Sequence, residues 1–577
     1  MLSLKNILEK SSLAPTPFHQ RRTSYVKRQS EPPLLLLAVI GIILYLAVIG
    51  ASYLQEPGKS VESEPQYPVI TKQEAAQAAA QFIQERFGLP AGYRANTLYQ
   101  SYSTRSGYLQ KEHLAEEYRK RFEHLPIDYY EVEINDTSGR ITYYVDVNYT
   151  NLRILGWEAY SQLPANKQTA SGDSPDLLKA AEKAIADQGY EPTEFIRVNP
   201  DRSSGINGEK TGKPAAAAGT QFIFQSKDKQ IGSAKLHLLV SVANGQIVSF
   251  HPLFELPSSF LDWQKRQNAN ASLMTRISMS ASLIMAFAAL FVMIRYRKEI
   301  TFRRGLLLSF MFLAIYVVNN FNMMPAFRTS HSEGPSQFEA IFYLIVVNIF
   351  VLLLAISVYF SLLAGKAMWR RKGWQPVVEW NDPAFGGSVM SAMGKGYLLC
   401  LFVLGIQQGL FFIAGEYFDV WSVNDPSDSV LNMTVPGIFP LMAWAAAISE
   451  EAVYRLFGIA FFLKLVRNRF AAVLLPSMIW ALSHTQYPIY PVYTRFIEVT
   501  IIGLIFGFAF LKYGFMTVLF AHASMDSILM GLSLIGMGDM KHNVIGIIYL
   551  GIPALIGYII AWLHGKRKRR EPLVPSS

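Results

Sequence analysis

The chain has 577 residues, of which 51% are hydrophobic and 17% are charged, and its formal net charge is +10. Its single cysteine, Cys400, excludes a disulfide framework and a thiolate zinc site. Much of the Lys and Arg excess flanks apolar segments, as in the basic run at 566–570, which is the pattern of cytoplasmic anchoring beside membrane spans. The composition therefore predicts a polytopic α-helical membrane protein with one soluble domain and gives no reason to expect nucleic-acid binding.

The N-terminal region reads as a tail followed by an anchor. Residues 1–32 are polar and basic, which predicts a cytoplasmic tail. Residues 33–54 are almost uninterruptedly apolar and long enough to cross the hydrocarbon core. A secretory signal would have a shorter apolar core and a cleavage site, so we expect an uncleaved anchor. Residues 55–267 then fall outside the cytoplasm.

The polar block at 55–267 predicts an α+β domain inserted between the first and second membrane helices. A helix at 71–86, capped by Thr71 and stopped by Gly88, is followed by alternating strand-like runs at 129–134 and 140–148. A second helix at 174–188 is followed by strands at 220–225, 234–242 and 246–251, with Asn244-Gly245 as a hairpin turn. Two helix-then-hairpin units are the simplest interpretation. The histidines of this block are interpreted as surface or sheet residues: His113, His124, His237 and His251.

The shape of each unit, together with the run Val-Ala-Asn-Gly-Gln-Ile-Val-Ser-Phe at 242–250, resembles PepSY-like modules. Such modules occur outside the membrane in many bacterial proteins. The resemblance implies two repeats with a binding or inhibitory role, and a peptide or protein ligand as a partner of this domain.

The rest of the chain alternates apolar segments with basic and acidic loops. Together with 33–54, the apolar segments predict about ten transmembrane helices. They lie near 273–294, 305–323, 338–363, 392–414, 435–463, 470–484, 496–511, 515–534 and 544–563. Basic loops fall consistently on one side, which predicts a multi-pass cell-membrane protein with both termini in the cytoplasm. Residues 273–390 then form additional helices, 391–565 a second membrane domain, and 566–577 a basic tail.

The stretch Ser-Glu-Glu-Ala-Val-Tyr-Arg at 449–455 lies inside an apolar segment. An ionised side chain at the centre of a spanning helix costs roughly 2.5–3.5 kcal/mol, so these charges need partners or a use. Glu451 and Arg455 are four residues apart on one helix and are predicted to pair. Glu450 points about 100° away and is left to face something else.

Two later helices carry residues that can serve such a carboxylate. Trp480 and His484 lie one turn apart, as do His522 and Asp526. Glu450 could take a proton from water, and the histidines could hold that water or stabilise an oxyanion. Asp526 could fix the tautomer of His522 or orient a peptide.

Each motif also has an interpretation without catalysis. The charges could form a structural ion-pair network, as in a transporter, and the pair of His522 and Asp526 could be a packing contact or a proton relay. Helical rise places His484 nearer the outer half of its helix than Glu450 and His522, so convergence of the three requires tilt or an earlier helix start.

In combination, Glu-Glu-x-x-x-Arg at 450–455, aromatic-x-x-x-His ending at His484 and His-x-x-x-Asp at 522–526 resemble the three motifs of the CPBP intramembrane proteases, also called the Abi or CAAX-protease family. Trp480 stands where Phe is usual, and Asp526 where Asn is frequent. The resemblance covers about 395–565. It implies an intramembrane endopeptidase acting on peptides or membrane proteins, with Glu450, His484, His522 and Asp526 as catalytic residues and Glu451, Arg455 and Trp480 in support.

The resemblance leaves the cofactor open. The family has been called metalloprotease, and Glu450, His484 and His522 would make a three-ligand zinc site with an open position. The same residues support a metal-free mechanism, which we favour. The sequence contains nothing like the His-Glu-x-x-His helix of zinc proteases.

Two other functions compete with proteolysis. A non-catalytic receptor or immunity protein would use residues 55–267 as a sensor and the membrane motifs to bind a peptide or stabilise the bundle. A transporter is less well supported, because the sequence shows no inverted repeat and no paired broken helices in corresponding halves.

Overall fold

The structure, a computed structural model, describes residues 33–54, 69–89, 92–135, 141–161, 175–198, 220–243, 245–327 and 337–570. The predicted tail at 1–32 lies outside the described residues. So do residues 136–140, where the first two predicted strands are joined, and Asn244 of the predicted Asn244-Gly245 turn. Helix α1 (Leu34–Leu54) corresponds to the predicted anchor.

The region between α1 and the second membrane helix, here called the sheet domain, contains two successive sets of four strands. Each set begins with a helix, and the first set contains two further short helices. The first set comprises α2 (Lys72–Phe87), β1 (Arg94–Ser101), α3 (Ser103–Lys111), α4 (Ala115–Arg121), β2 (Asp128–Asn135), β3 (Ile141–Val147) and β4 (Ile154–Ser161). The second comprises α5 (Pro175–Asp187), β5 (Phe195–Val198), β6 (Thr220–Ile231), β7 (Ala234–Ala243) and β8 (Gln246–Glu255).

The eight strands form one antiparallel sheet in the order β1-β2-β3-β4-β8-β7-β6-β5. Each set is a four-stranded meander, and the two meanders join where β4 pairs with β8, with Trp157 opposite Phe250. The repeated helix is found, but the sheet is larger than predicted because β1, β4 and β5 add to the expected hairpins. The likeness to PepSY modules stays a prediction.

Helix α2 shows why the local sequence signals work. Thr71 and Glu74 form a capping box, in which the backbone N–H of Glu74 donates to Thr71 Oγ1 at 3.2 Å. Gly88 ends the helix in the left-handed region with φ 72°. Between these caps, Ala75, Ala79 and other small or apolar residues are buried against the sheet. The helix predicted at 71–86 is confirmed.

The remaining helices form the membrane bundle. Apart from a single turn at Met324–Phe327, they are α6 (Ser258–Arg295), α7 (Arg303–Asn322), α8 (Gln337–Arg371), α9 (Phe385–Phe418), α10 (Met442–Glu450), α11 (Ala460–Val466), α12 (Arg469–Ser483), α13 (Val492–Tyr513), α14 (Phe515–Ile535) and α15 (Met540–Arg570). Within the described residues, eight helices are long and apolar enough to cross a membrane; α10, α11 and α12 are shorter. A polytopic helical membrane protein with an α+β domain is therefore confirmed.

Between α10 and α11 the chain continues as a π-helix over Glu451–Ile459. The sequence predicted one continuous helix at 435–463. In the structure this region begins with a 3-10 helix at Pro436–Leu441, and the α-helix widens into the π-helix directly after Glu450. This wide segment packs closely on α8, where Trp369 Nε1 donates to the Leu456 carbonyl at 2.8 Å. π-Helical turns inside helices are frequent at functional sites.

Helix α6 runs without a break from the sheet domain into the bundle. It begins at Ser258, well before the predicted span at 273, because the polar turns that precede the span are also helical. One face of α6 forms hydrogen bonds with α12, with the segment after it and with Tyr454 of the π-helical segment, through residues spaced three or four apart. These residues are Asn268, Ala271, Thr275, Ser278 and Ser282. The sheet domain and bundle are therefore joined by one continuous element.

Candidate active site

Glu450 is the last residue of α10, and its carboxylate lies between two imidazoles. Its Oε1 atom is 4.0 Å from His484 Nε2, and its Oε2 atom is 3.7 Å from His522 Nε2. The indole N–H of Trp480 donates a hydrogen bond to the same Oε2. The structure thus brings together residues from three helices, and the convergence that helical rise alone left open is observed.

His484 caps the C-terminal end of α12 and is held by its own helix. Its Nδ1 lies 2.9 Å from the carbonyl oxygen of Trp480. Because a carbonyl only accepts hydrogen bonds, Nδ1 carries the proton. The other nitrogen, Nε2, is thereby directed toward Glu450 with its lone pair available in the neutral ring.

His522 on α14 is oriented by Glu451 of the π-helical segment. Its Nδ1 is 2.8 Å from Glu451 Oε1, so Nδ1–H donates to that carboxylate. Its Nε2 faces Glu450 and also lies 3.4 Å from Asp526 Oδ2. Glu451, rather than Asp526, therefore holds Nδ1 of His522, while orientation of a peptide by Asp526 remains a prediction.

Glu451 and Arg455 form the predicted ion pair, with Arg455 Nη1 3.2 Å from Glu451 Oε1. Both side chains are fully buried. The Arg455 guanidinium lies 4.2 Å from the ring centre of Trp480 and 5.4 Å from that of Phe506, which contributes a cation–π interaction on each side. The pair therefore connects the Glu450 helix to α12 and α13.

The site has a closed floor and an accessible part. The side chains of Glu450, His484 and Asp526 are 21%, 19% and 16% exposed. His522 is only 3% exposed. A reacting group could reach Glu450 and His484 from the exposed part of the site. His522 would contact this group from the buried part. This is the arrangement expected of a partly enclosed reaction site.

A second charged group beside the site was missed by the sequence reasoning. Arg495 Nη1 lies 2.5 Å from Glu498 Oε2, and Gln407 Nε2 donates to Glu498 Oε1 at 3.0 Å. The Arg495 guanidinium is 5.4 Å from the Tyr487 ring, which stacks on His484. Two opposite charges three residues apart in an apolar helix are the signal that could have found this pair.

The predicted zinc ligands do not form a recognised metal centre in the part of the chain that the structure describes. Among the described residues, no group of three or more His, Cys, Asp or Glu side chains is arranged to hold an ion. Glu450 Oε2, which would be a ligand oxygen, already accepts a hydrogen bond from Trp480. The metal-free mechanism stays a prediction.

The part of the chain that contains this site is similar to a known family of proteases. Residues 432–528 match the family described as type II CAAX prenyl endopeptidase Rce1-like. The match begins at Asn432 and ends just beyond Asp526, so it contains every residue of the site except Gln407. It confirms the resemblance to CAAX-type proteases predicted from the motifs.

One relative with a described role is the sporulation-killing factor biosynthesis protein SkfC of Bacillus subtilis (strain 168). It is 27% identical to this chain over 197 residues, which are 33% of this chain and 37% of that protein. The similarity therefore spans well under half of either protein. No solved structure matches the chain.

Proposed function

We propose that the protein is an intramembrane endopeptidase in which Glu450 activates a water molecule. The observation that carries this proposal is the partly exposed carboxylate of Glu450 set between His484 and His522. The Rce1-like match over 432–528 supports peptide-bond hydrolysis at the level of the family. The buried pair of Glu451 and Arg455 supplies the rigid support that such a site requires.

In the first step Glu450 takes a proton from water as the oxygen attacks the carbonyl carbon of the scissile amide. The carbonyl oxygen becomes an oxyanion and needs donors at about 2.7–3.1 Å. His522 in its doubly protonated form donates through Nδ1 to Glu451 and offers Nε2–H to the oxyanion. His484 Nε2, directed at Glu450, holds the attacking water in line.

In the second step the C–N bond breaks and the oxyanion returns to a carbonyl. The proton that Glu450 took from water passes to the leaving amine nitrogen, so Glu450 regains its carboxylate form. Water has then added across the amide, and no other reactant is consumed. Trp480 donates to Glu450 Oε2 throughout, which leaves Oε1 as the oxygen that handles the proton.

The substrate class proposed is a small peptide or a membrane-associated protein. SkfC is described as a sporulation-killing factor biosynthesis protein, and a role of the proposed hydrolysis in a biosynthetic process is consistent with that description. The lipid bilayer is the surrounding medium, since helices of the bundle expose large apolar side chains such as Leu307 and Phe310.

The test compares wild type with Glu450→Gln at matched expression, with peptides released from membranes measured by mass spectrometry. Glu379→Gln is the matched control, because Glu379 pairs with Lys366 and Arg370 at the other end of the bundle. We expect Glu450→Gln to abolish release of specific peptides while Glu379→Gln retains it. Full proteolysis by Glu450→Gln would refute the assignment.

The alternative is a receptor or immunity protein that binds a peptide through the same residues without cleaving it. Such a protein would keep its cellular effect in Glu450→Gln, because the isosteric amide preserves the shape of the site. Loss of the effect with the protein still folded, measured by its thermal unfolding in detergent, supports the enzyme. An unchanged effect with no released peptide supports the receptor.

We also propose that hydrolysis needs no metal ion. The hydrogen bond from Trp480 to Glu450 and the Nδ1-to-carbonyl bond of His484 orient the site with protein groups alone. Activity should survive exhaustive chelation, with elemental analysis to verify removal of zinc. Activity that is lost on chelation and restored by zinc would overturn this part of the proposal.

A further inference from the structure

The segment that leaves the site after His484 is attached to the sheet-domain end of the bundle. Thr485 Oγ1 donates to the carbonyl of Ala271 at 3.2 Å, and Tyr490 donates to Asn268 Oδ1 at 2.7 Å. Both acceptors lie in the part of α6 nearer the sheet domain. His484 therefore sits at the end of its helix that faces the sheet domain, directly before this attached segment.

The segment that leads into the Glu450 helix is attached to the same domain. Asn432 is fully buried; its side chain accepts from Tyr99 N–H at 2.7 Å and donates to the Tyr99 carbonyl at 2.8 Å. This amide therefore takes the place of a pairing strand beside β1. Trp421 lies against Gly107, where a Cβ atom would come within 2.9 Å of its ring.

These two segments also pair with each other. Trp421 and Ser422 form a short antiparallel ladder with Ile489 and Tyr490, and the rings of Trp421 and Tyr490 are 4.7 Å apart. The approach to Glu450 and the exit from His484 thus form one junction beneath the sheet domain. The junction and the catalytic side chains are neighbours in space as well as in sequence.

The opposite end of the bundle is remote from the accessible side chains. Helix α12 starts at Arg469 and covers 15 residues before His484, a rise of about 22 Å. At that end Phe515 N–H donates to the Pro376 carbonyl at 3.0 Å, so the start of α14 is covered. His522, nearly inaccessible, closes the floor on this side.

An aromatic residue marks the accessible edge of the site. Tyr487 is 50% exposed, and its ring stacks on His484 with centres 6.0 Å apart. Its ring also lies 5.4 Å from the Arg495 guanidinium. Tyr487 therefore lies at the accessible edge of the site, beside His484.

We propose that water and substrate reach Glu450 from the sheet-domain end of the bundle, through an opening beside Tyr487. The substrate class that follows is a peptide segment, free or membrane-anchored, located on the sheet-domain side of the membrane. With the predicted topology, that side is extracytoplasmic. That a peptide is cleaved at this site rests on the proposed proteolysis. The position of the opening does not depend on it.

Cysteine labelling tests the opening without requiring hydrolysis. Cys400 is fully buried and gives a silent background. Full-length Glu450→Cys is reconstituted in sealed vesicles, and its orientation is scored by digestion of the sheet domain with added protease. A charged, membrane-impermeant thiosulfonate is then added outside. We expect modification when the sheet domain faces outward and loss of modification when it faces inward.

Three matched variants calibrate the labelling. Glu451→Cys replaces the neighbouring, fully buried carboxylate and should react in neither orientation until the protein is denatured. Tyr487→Cys should react only with the sheet domain outward. Arg469→Cys, exposed at the opposite end, should react only with it inward. These controls separate a closed site from a leaky vesicle.

Two results would overturn the proposal. One is modification of Glu450→Cys only when the sheet domain faces inward. The other is no modification in either orientation while Tyr487→Cys reacts as expected, with Asp526→Cys giving the same result if Glu450→Cys fails to fold. Either result leaves proteolysis untouched, because Glu450→Gln is judged on released peptides, so the two failures are distinguishable.

Discussion

The sheet domain and the membrane bundle each contain a histidine surrounded by carboxylates, and the two clusters differ in access. In the sheet domain, His251 Nδ1 lies 3.6 Å from Asp146 Oδ2 and its Nε2 lies 4.0 Å from Glu158 Oε2. In the bundle, His522 contacts Glu451 and faces Glu450. Residue types alone would not separate the two clusters.

The difference lies in what the carboxylates face. Asp146 and Glu158 are buried in the sheet, and the His251 ring lies over Gly156, where a Cβ atom would come within 2.8 Å of Nδ1. This cluster therefore fastens β4 to β8, where the two meanders join. Glu450, by contrast, is partly exposed and also faces His484. An accessible carboxylate between two imidazoles is the feature that favours chemistry.

The largest expected effect comes from removing each histidine in turn. We expect His522→Ala to lower kcat about 10²–10⁴-fold, the range for loss of a general acid–base or donor group. His251→Ala should keep kcat and lower the melting temperature of the sheet domain. Peptide release and thermal unfolding are measured on both variants. Equal loss of activity in the two variants would contradict the proposed difference between the His522 cluster and the His251 cluster.

The next effect concerns the buried support of His522. Glu451→Gln leaves Arg455 without its ion-pair partner, which costs about 3–5 kcal/mol of stability when the pair is buried. Glu498→Gln removes the partner of Arg495 and is the matched control. We expect comparable destabilisation in both, but a lower kcat at unchanged KM only in Glu451→Gln, since only Glu451 orients a catalytic ring.

That result depends on separate measurement of folding and kinetics. The free energy of unfolding is taken from denaturant titration in detergent, and kcat and KM from a peptide identified by its release from membranes. If Glu451→Gln kept the wild-type kcat, the orientation of His522 would not depend on this carboxylate. If Glu498→Gln lowered kcat equally, the second ion pair would belong to the site.

A smaller effect is expected from Trp480→Phe. The substitution removes the N–H donor to Glu450 but keeps a ring beneath the Arg455 guanidinium. A hydrogen bond to a charged group is worth about 1.5–3 kcal/mol, so kcat should fall roughly 10- to 100-fold. Trp444→Phe is the matched control, because the buried Trp444 Nε1 has no hydrogen-bond partner among the described residues. A wild-type kcat in Trp480→Phe would show that the donor is dispensable.

The smallest effect is a pH dependence of the sheet domain. Burial alone would lower the pKa of His251, but hydrogen bonding to Asp146 and the charges of Asp146, Glu158 and Glu131 outweigh it and raise the pKa above 6.5. Because its pKa is raised in the folded state, protonated His251 stabilises the fold fully below about pH 6.5. This stabilisation is lost as the pH rises through the folded-state pKa.

Thermal unfolding of the sheet-domain region, followed in the full-length protein by protease sensitivity, checks this sign. Wild type should lose stability as the pH is raised from 6 to 8, relative to His251→Gln, whose profile should be flatter. A steeper loss in His251→Gln would mean that another group sets the pH dependence.

Sequence reasoning found the catalytic candidates because charged residues in apolar helices are conspicuous. Glu450, His484 and His522 converge as predicted, and Glu451 pairs with Arg455. The contact from Glu451 to His522 was missed, because 71 residues separate them and only packing of α14 on the π-helical segment brings them together. The π-helix itself has no periodic signal in the sequence that distinguishes it from an α-helix.

The sheet domain shows a similar boundary between what can and cannot be predicted. Thr71, Glu74 and Gly88 specify α2 locally, and this helix was placed correctly. No strand was predicted at 154–161, where Gly156 weakens the strand pattern. In the structure a glycine is needed there, since the partner strand brings the His251 ring and the Phe250 carbonyl to within 2.8 Å of a Cβ position. That requirement is set by a strand about a hundred residues later in the chain.

Helix α6 also sets an angular relation between the two regions. Its bonding residues, from Asn268 to Ser282, lie on one stripe because each is three or four positions from the next. Inserting a single residue between the last strand and Asn268 would rotate the sheet domain by about 100° relative to α12. If this domain were exchanged between proteins, both the length of α6 and the rotational position of its bonding residues would have to be kept. A rotation of one region about the axis of α6 would be transmitted to the other region.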